Sequence, residues 1–109
     1  MKLIIAIINK DDSNFLSKEL ISAGFAMTTL NTTGGFLRSE NYTALIGVED
    51  DKVDEVFSII EKNCRIRKAL IPSSLTDFYP MLGNVGMPLE VTVGGATVFV
   101  VDVTRFEKI

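Results

Sequence analysis

At 109 residues, 47% of them hydrophobic, the chain has single-domain size: enough for a packed core, with little to spare for a deep private pocket. Eleven basic against fourteen acidic residues leave no basic footprint for nucleic acid, and the lack of histidine removes the commonest general base and metal ligand. The lone cysteine, Cys64, excludes an internal disulfide, has no zinc-like cluster around it, and fits a reducing cytoplasm.

Residues 2–8 are isoleucine-rich and apolar on both faces, which predicts a central strand covered on at least one side. The apolar run Leu3 to Ile8 is too short to cross a membrane, and no small-residue cleavage site separates it from Lys10-Asp11-Asp12. Membrane insertion is therefore not expected. Asp11, Asp12 and Ser13 are candidate N-caps for a helix carrying Phe15, Leu16, Leu20 and Ala23 at helical spacing and ending at Gly24.

Strands are predicted over Phe25–Asn31 and Asn41–Val48, with a Gly-Gly segment between them. Val53, Val56, Phe57 and Ile60 then follow an i, i+3, i+4, i+7 pattern, giving a second helix over about 51–63. Asp51, Asp54 and Glu55 in its first turn complement the helix dipole. Arg67–Ile71 is a further strand candidate, and Pro72 to Gly86 has the composition of a long loop. Leu89–Val93, Gly94-Gly95 and Ala96–Val103 together carry the strongest hairpin signal in the chain.

The order β-α-β-β-α-β predicts an α+β, ferredoxin-like domain spanning 1–109, with an enlarged loop and extra strands inserted over 65–95. Helices on one face leave the other face of the sheet bare. Sister subunits are an economical cover for it.

Polar groups concentrate between Met27 and Gly47. The Thr32-Thr33-Gly34-Gly35 segment can form an amide nest for an anion, Phe36 offers a flat face to a base, and Arg38 can meet a phosphate. Thr28, Asn41 and Thr43 on the flanking strands can read a base edge, since an Asn amide matches adenine's donor and acceptor together. Each also has a plain structural role open to it: a turn at Gly34-Gly35, a core ring at Phe36, strand propensity at the threonines, a turn at Asn41, a solvated Arg38.

Catalysis has less support. Asp11-Asp12 and Asp50-Asp51 are explained as helix caps, Ser73-Ser74 have no histidine base, and Cys64 closes an amphipathic helix where an inert thiol is the default. A non-enzyme without cofactor or metal is expected.

Thr32-Thr33-Gly34-Gly35-Phe36-Leu37-Arg38, Asn41-x-Thr43, Gly47-Val48-Glu49-Asp50 and Glu90-Val91-x-Val93-Gly94-Gly95-Ala96-Thr97-Val98-Phe99-Val100 together resemble the PII-like cyclic di-AMP receptor family. The resemblance implies a homotrimer that binds cyclic di-AMP in clefts between neighbouring subunits and relays it through loops to a partner protein, here unknown. Thr28 and Asn41 would then hydrogen-bond an adenine, Phe36 would line or stack on a base, and the backbones of Gly35, Phe36, Leu37 and Gly47 would meet the ligand. Ala26 and Lys108 depart from the family's usual arginine and glutamine, so one phosphate contact fewer is expected. Ordinary PII sensors, which bind ATP with a carboxylate metabolite, are the alternative. Their long modifiable loop has no counterpart in the short Arg38-Ser39-Glu40 connection.

Overall fold

A computed structural model describes residues 1–31, 41–71 and 89–109. In chain order these form β1 (Lys2–Asn9), α1 (Lys10–Ser22), β2 (Thr28–Asn31), β3 (Asn41–Val48), a 3-10 turn (Asp50–Lys52), α2 (Val53–Cys64), β4 (Arg67–Ile71), β5 (Leu89–Val93) and β6 (Ala96–Asp102). The expected Gly-Gly segment and the loop after Ile71 lie outside the described residues.

Strand β1 pairs antiparallel with β3 on one side and β6 on the other, and β2 adds to β3, giving the order β2-β3-β1-β6. This is the ferredoxin-like arrangement predicted from the element order. Along β1 and β3 the pleat separates side chains by parity. Ile4, Ala6, Ile8, Ala44, Ile46 and Val48 are buried with Leu16 and Leu20 of α1 and Val56, Ile60 and Cys64 of α2. Both helices therefore cover the same face, and each fully buried Leu or Ile contributes roughly 1.5–3 kcal/mol.

The opposite face carries Leu3, Ile5, Ile7, Leu30, Leu45, Phe99 and Val101, placed there by the registers Ile5↔Leu45, Ile5↔Phe99, Leu3↔Val101 and Leu30↔Thr43. Ile7, Leu30, Phe99 and Val101 are exposed, Phe99 to 53%. An apolar sheet face of that extent is unusual for a free surface.

Four local expectations are corrected. The N-cap of α1 is Asn9, whose side-chain oxygen accepts from the Asp11 N–H at 2.9 Å, because β1 runs straight into the helix. Phe15 and Ala23 are exposed, and Asp12 and Ser13 join Leu16 and Leu20 on the buried stripe. Strand β2 begins only at Thr28: Gly24 (φ +90°) ends α1 with the Phe25 N–H donating to Leu20 O (2.8 Å) and its own N–H to Ile21 O (3.0 Å), so the chain spends Phe25–Met27 leaving the helix.

The fourth correction concerns the expected hairpin. β5 pairs with β4 in a separate two-stranded sheet, while β6 pairs with β1, so the strands flanking Gly94-Gly95 do not pair with each other. Both glycines have positive φ (79° and 95°), as a tight turn would require, but the turn passes the chain from one sheet to the other. It does so close against the end of α2: the Gly95 N–H donates to Cys64 O at 2.5 Å. A Cβ at Gly94 would lie 2.8 Å from Arg65 O, and one at Gly95 2.9 Å from Ile66 Cγ1.

The β4–β5 arm is anchored at the same point by charge. Arg67 meets the buried Asp12 with both terminal guanidinium nitrogens, Nη2 to Oδ1 at 2.6 Å and Nη1 to Oδ2 at 3.4 Å, while Nη1 also donates to Arg65 O. Asp12 is thus a tether between α1 and the arm rather than a cap. A second link joins the helices, where Glu19 receives Asn63 Nδ2 (2.9 Å) and Lys62 Nζ (3.0 Å). Arg67→Met would leave Asp12 buried without its counter-charge. The expected loss is about 2–3 kcal/mol in urea denaturation, below the figure for a fully dry pair because Arg67 is 42% exposed. A loss under about 0.5 kcal/mol, the size of an ordinary surface change, would show that the pair does not hold the arm.

Candidate functional site

The strand pleat places Asn41, Thr43 and Gly47 together with Leu45 on the face turned away from the helices, since Ala44, Ile46 and Val48 fill the core. Thr28, opposite Leu45 in the β2–β3 register, joins them on that face. Four of the expected ligand residues therefore share one bare surface. Gly35, Phe36, Leu37 and Arg38 lie outside the described residues.

Within that surface they divide between two cavities. One, of about 430 Å³, sits at the Gly47 end and is walled by Leu3, Ala26, Thr28, Leu45, Gly47 and Phe106. The other, of about 600 Å³, sits at the Asn41 end, where Asn9, Ile7, Thr92, Thr97 and the Gly94-Gly95 turn also contribute. Asn41 and Gly47 are six residues apart on one strand, roughly 20 Å at about 3.3 Å per residue. Thr43 lies between them on the strand and lines neither.

The two cavities differ in chemistry. The first is mainly apolar, with the Thr28 hydroxyl as a polar handle; that hydroxyl makes no hydrogen bond among the described residues. The second is lined by Asn41, Thr92, Thr97 and the half-buried glycine turn. Asn9 contributes less, because its side-chain oxygen already caps α1. Both volumes fall in the range of small-molecule sites.

The charged groups nearby are engaged in ion pairs. Lys2 pairs with Asp102 across β1–β6, and its ammonium pKa is raised by that hydrogen bond. Asp50 accepts from the amino group of Met1 at 2.9 Å, which holds its carboxyl below the usual range. Asp50 thus serves an ion pair, and no side-chain cap bond opens the 3-10 turn. Among the described residues no group of three His, Cys, Asp or Glu is placed to hold a metal ion, and no helix is long and apolar enough to cross a membrane.

Cys64 is fully buried at the end of α2, and desolvation pushes its thiol up to about 11. The cavity residues that the motifs did not include are Asn9, Thr92 and Phe106. The only sequence signal for Phe106 is an aromatic set among the charged residues Arg105, Glu107 and Lys108 after the last strand.

The whole chain, residues 1–109, matches the family model of the cyclic di-AMP receptor. The chain belongs to the cyclic di-AMP receptor family. The solved structure of a functionally unknown protein from Pediococcus pentosaceus ATCC 25745 is similar to this family member at 40% identity, with a TM-score of 0.80. That likeness covers 99% of this chain and 96% of the other. Family membership makes the fold PII-like and supports cyclic di-AMP binding.

A thiol held neutral by burial has a simple signature. Cys64 of the folded receptor should react with a thiol reagent far more slowly than in denaturant. Because its folded pKa lies above the unfolded value near 9, the unfolded state loses its proton first, and stability should fall as pH rises from about 9 towards 11. Thermal melts of Cys64→Ala against the wild type should show a shallower alkaline decline; identical slopes would sink this account.

Proposed function

We propose that the protein is a receptor without catalytic activity, cytoplasmic and needing no cofactor, that binds cyclic di-AMP between the subunits of a homotrimer. The carrying observation is the division of Thr28 and Gly47 from Asn41 between two cavities at opposite ends of one uncovered sheet face. A ligand with two adenines and two phosphates has matching parts to distribute. Juxtaposing the Gly47 end of one protomer with the Asn41 end of the next would bring apolar stacking room and an amide base reader to the same molecule.

The exposed Ile7, Leu30, Phe99 and Val101 support assembly through this face, because their burial is favourable at about 25 cal/mol per Å² of apolar surface removed from water. Relay to a partner protein is assigned to the β4–β5 arm. Its root shares the Gly94-Gly95 turn with the Asn41 cavity, so ligand contacts there bias the position of the arm.

Isothermal titration with cyclic di-AMP, with ATP and cyclic di-GMP as controls, tests the reading. Saturation near one ligand per protomer is expected, with affinity roughly 10-fold weaker in Asn41→Ala and several-fold weaker in Thr28→Val. Tighter binding of ATP than of cyclic di-AMP would move the protein to the PII nitrogen or carbon sensors. Light scattering on the same samples should give three chains per particle, and a monomer with full affinity would refute the inter-subunit site.

A further inference from the structure

Asn9 closes β1 and caps α1, and the cap uses only half of its amide. Its Oδ1 accepts from the Asp11 N–H at 2.9 Å, which fixes the orientation of the group, because a backbone N–H can be met by the amide oxygen and not by the amide NH2. The Nδ2 is left as a donor that makes no hydrogen bond among the described residues. Serine, threonine or aspartate would serve as a cap about as well as asparagine. Capping therefore accounts for the oxygen of this side chain and not for the nitrogen.

The residue stands at the wall of the cavity of about 600 Å³, half-buried and on the bare face with Ile7. It is the register partner of Asn41 across β1–β3, which sets the two Cβ atoms about 4.5–5.5 Å apart. Two amides thus sit side by side in one cavity, and they differ in freedom. Asn41 has no anchoring side-chain hydrogen bond among the described residues, so rotation about its last bond turns either oxygen or nitrogen to a ligand. A group of that kind accepts adenine and guanine alike. Asn9 cannot rotate without giving up the cap, so it offers the cavity a donor and nothing else. Beside the exocyclic group of the base, adenine N1 is an acceptor, whereas guanine N1 carries a hydrogen and would face the fixed donor with no bond to make.

We propose that Asn9 is a specificity-determining residue of the site: its Nδ2 donates to N1 of one adenine of cyclic di-AMP, while the neighbouring Asn41 oxygen accepts from the exocyclic amine. This assignment rests on the receptor reading above. Rejection of guanine then comes from the helix cap, which holds the Asn9 oxygen away from the ligand. The same cap joins the bound base to the first turn of α1, where Asp12 holds Arg67 at the root of the β4–β5 arm.

The test is a cycle of one substitution against one ligand atom. Wild type and Asn9→Ser, which keeps a capping oxygen and has no amide, are titrated with cyclic di-AMP and with its analogue in which N1 of both adenines is replaced by CH, with a ligand-free melt on each protein. The wild type should bind the analogue roughly 3- to 10-fold more weakly than cyclic di-AMP, the range for one neutral hydrogen bond. Asn9→Ser should weaken cyclic di-AMP binding by a similar factor at an unchanged melting temperature. Exchange of N1 should then weaken binding to the variant at least about 3-fold less than binding to the wild type, because the bond it removes is already gone. Losses that simply multiply would overturn the assignment, reducing Asn9 to a cap, and so would wild-type affinity in Asn9→Ser; either result leaves the receptor reading intact. No binding of cyclic di-AMP by the wild type would remove the receptor reading and this assignment with it.

Discussion

Strand β1 is hydrogen-bonded on both sides, to β3 and to β6, and the rest of the molecule depends on that double pairing. Its side-chain alternation commits Ile4, Ala6 and Ile8 to the helices and Leu3, Ile5 and Ile7 to the other face. The ladder passes the same parity to β3 and, through it, to β2. A slip of one residue between β1 and β3 would exchange Asn41, Thr43 and Gly47 for Tyr42, Ala44 and Ile46 on the bare face. The register that builds the core is therefore also the register that presents Asn41, Thr43 and Gly47 on the bare face, and neither can vary without the other.

The junction around Cys64–Arg67 has a comparable double role. Within four residues the chain ends α2, accepts the Gly95 N–H and sends Arg67 back to the buried Asp12. The close approach is possible because Gly94 and Gly95 have no side chains, and the positive φ of both turns the chain from the arm into β6. The arm is tied to the body at its base by one charged contact and one backbone bond, with the same turn forming part of a cavity wall. In the proposed reading, contacts at the ligand and contacts that orient the arm share atoms, which is the physical requirement for coupling between them.

In the proposed reading, the bare face is how a small domain recognises a large nucleotide. A chain of 109 residues that spends one sheet face on its core has only the second face for binding, and that face is shallow. In the proposed assembly, two copies meeting across it would convert shallow walls into an enclosed space, and burial of the apolar strip around the cavities would favour the meeting. Recognition then requires hydrogen-bonding groups and flat apolar surface but no proton-transfer machinery.

Local periodicity made much of the fold legible. The β3 boundaries, the apolar β1, the amphipathic α2 and the extra strand at Arg67–Ile71 all follow from side-chain alternation or helical spacing, which are properties of consecutive residues. The motifs over Thr32–Asp50 and Glu90–Val100 likewise pointed to the family, because residue types at fixed spacing survive in the sequence whatever their positions in space. What only the tertiary structure decided were relations between distant residues. Gly94-Gly95 reads as a hairpin turn, yet pairing partners are chosen by the whole sheet, and β1 captured β6 while β4 captured β5. Asp12 reads as a cap until Arg67, fifty-five residues on, is seen beside it. Phe106 reads as a tail aromatic until the fold brings it to the same cavity as Gly47. Sequence alone determined which stretches form helices and strands and which chemistry they carry, since those depend on neighbours in the chain; the assembly of a cavity from the beginning, middle and end of the chain depends on packing, and packing has no local signature.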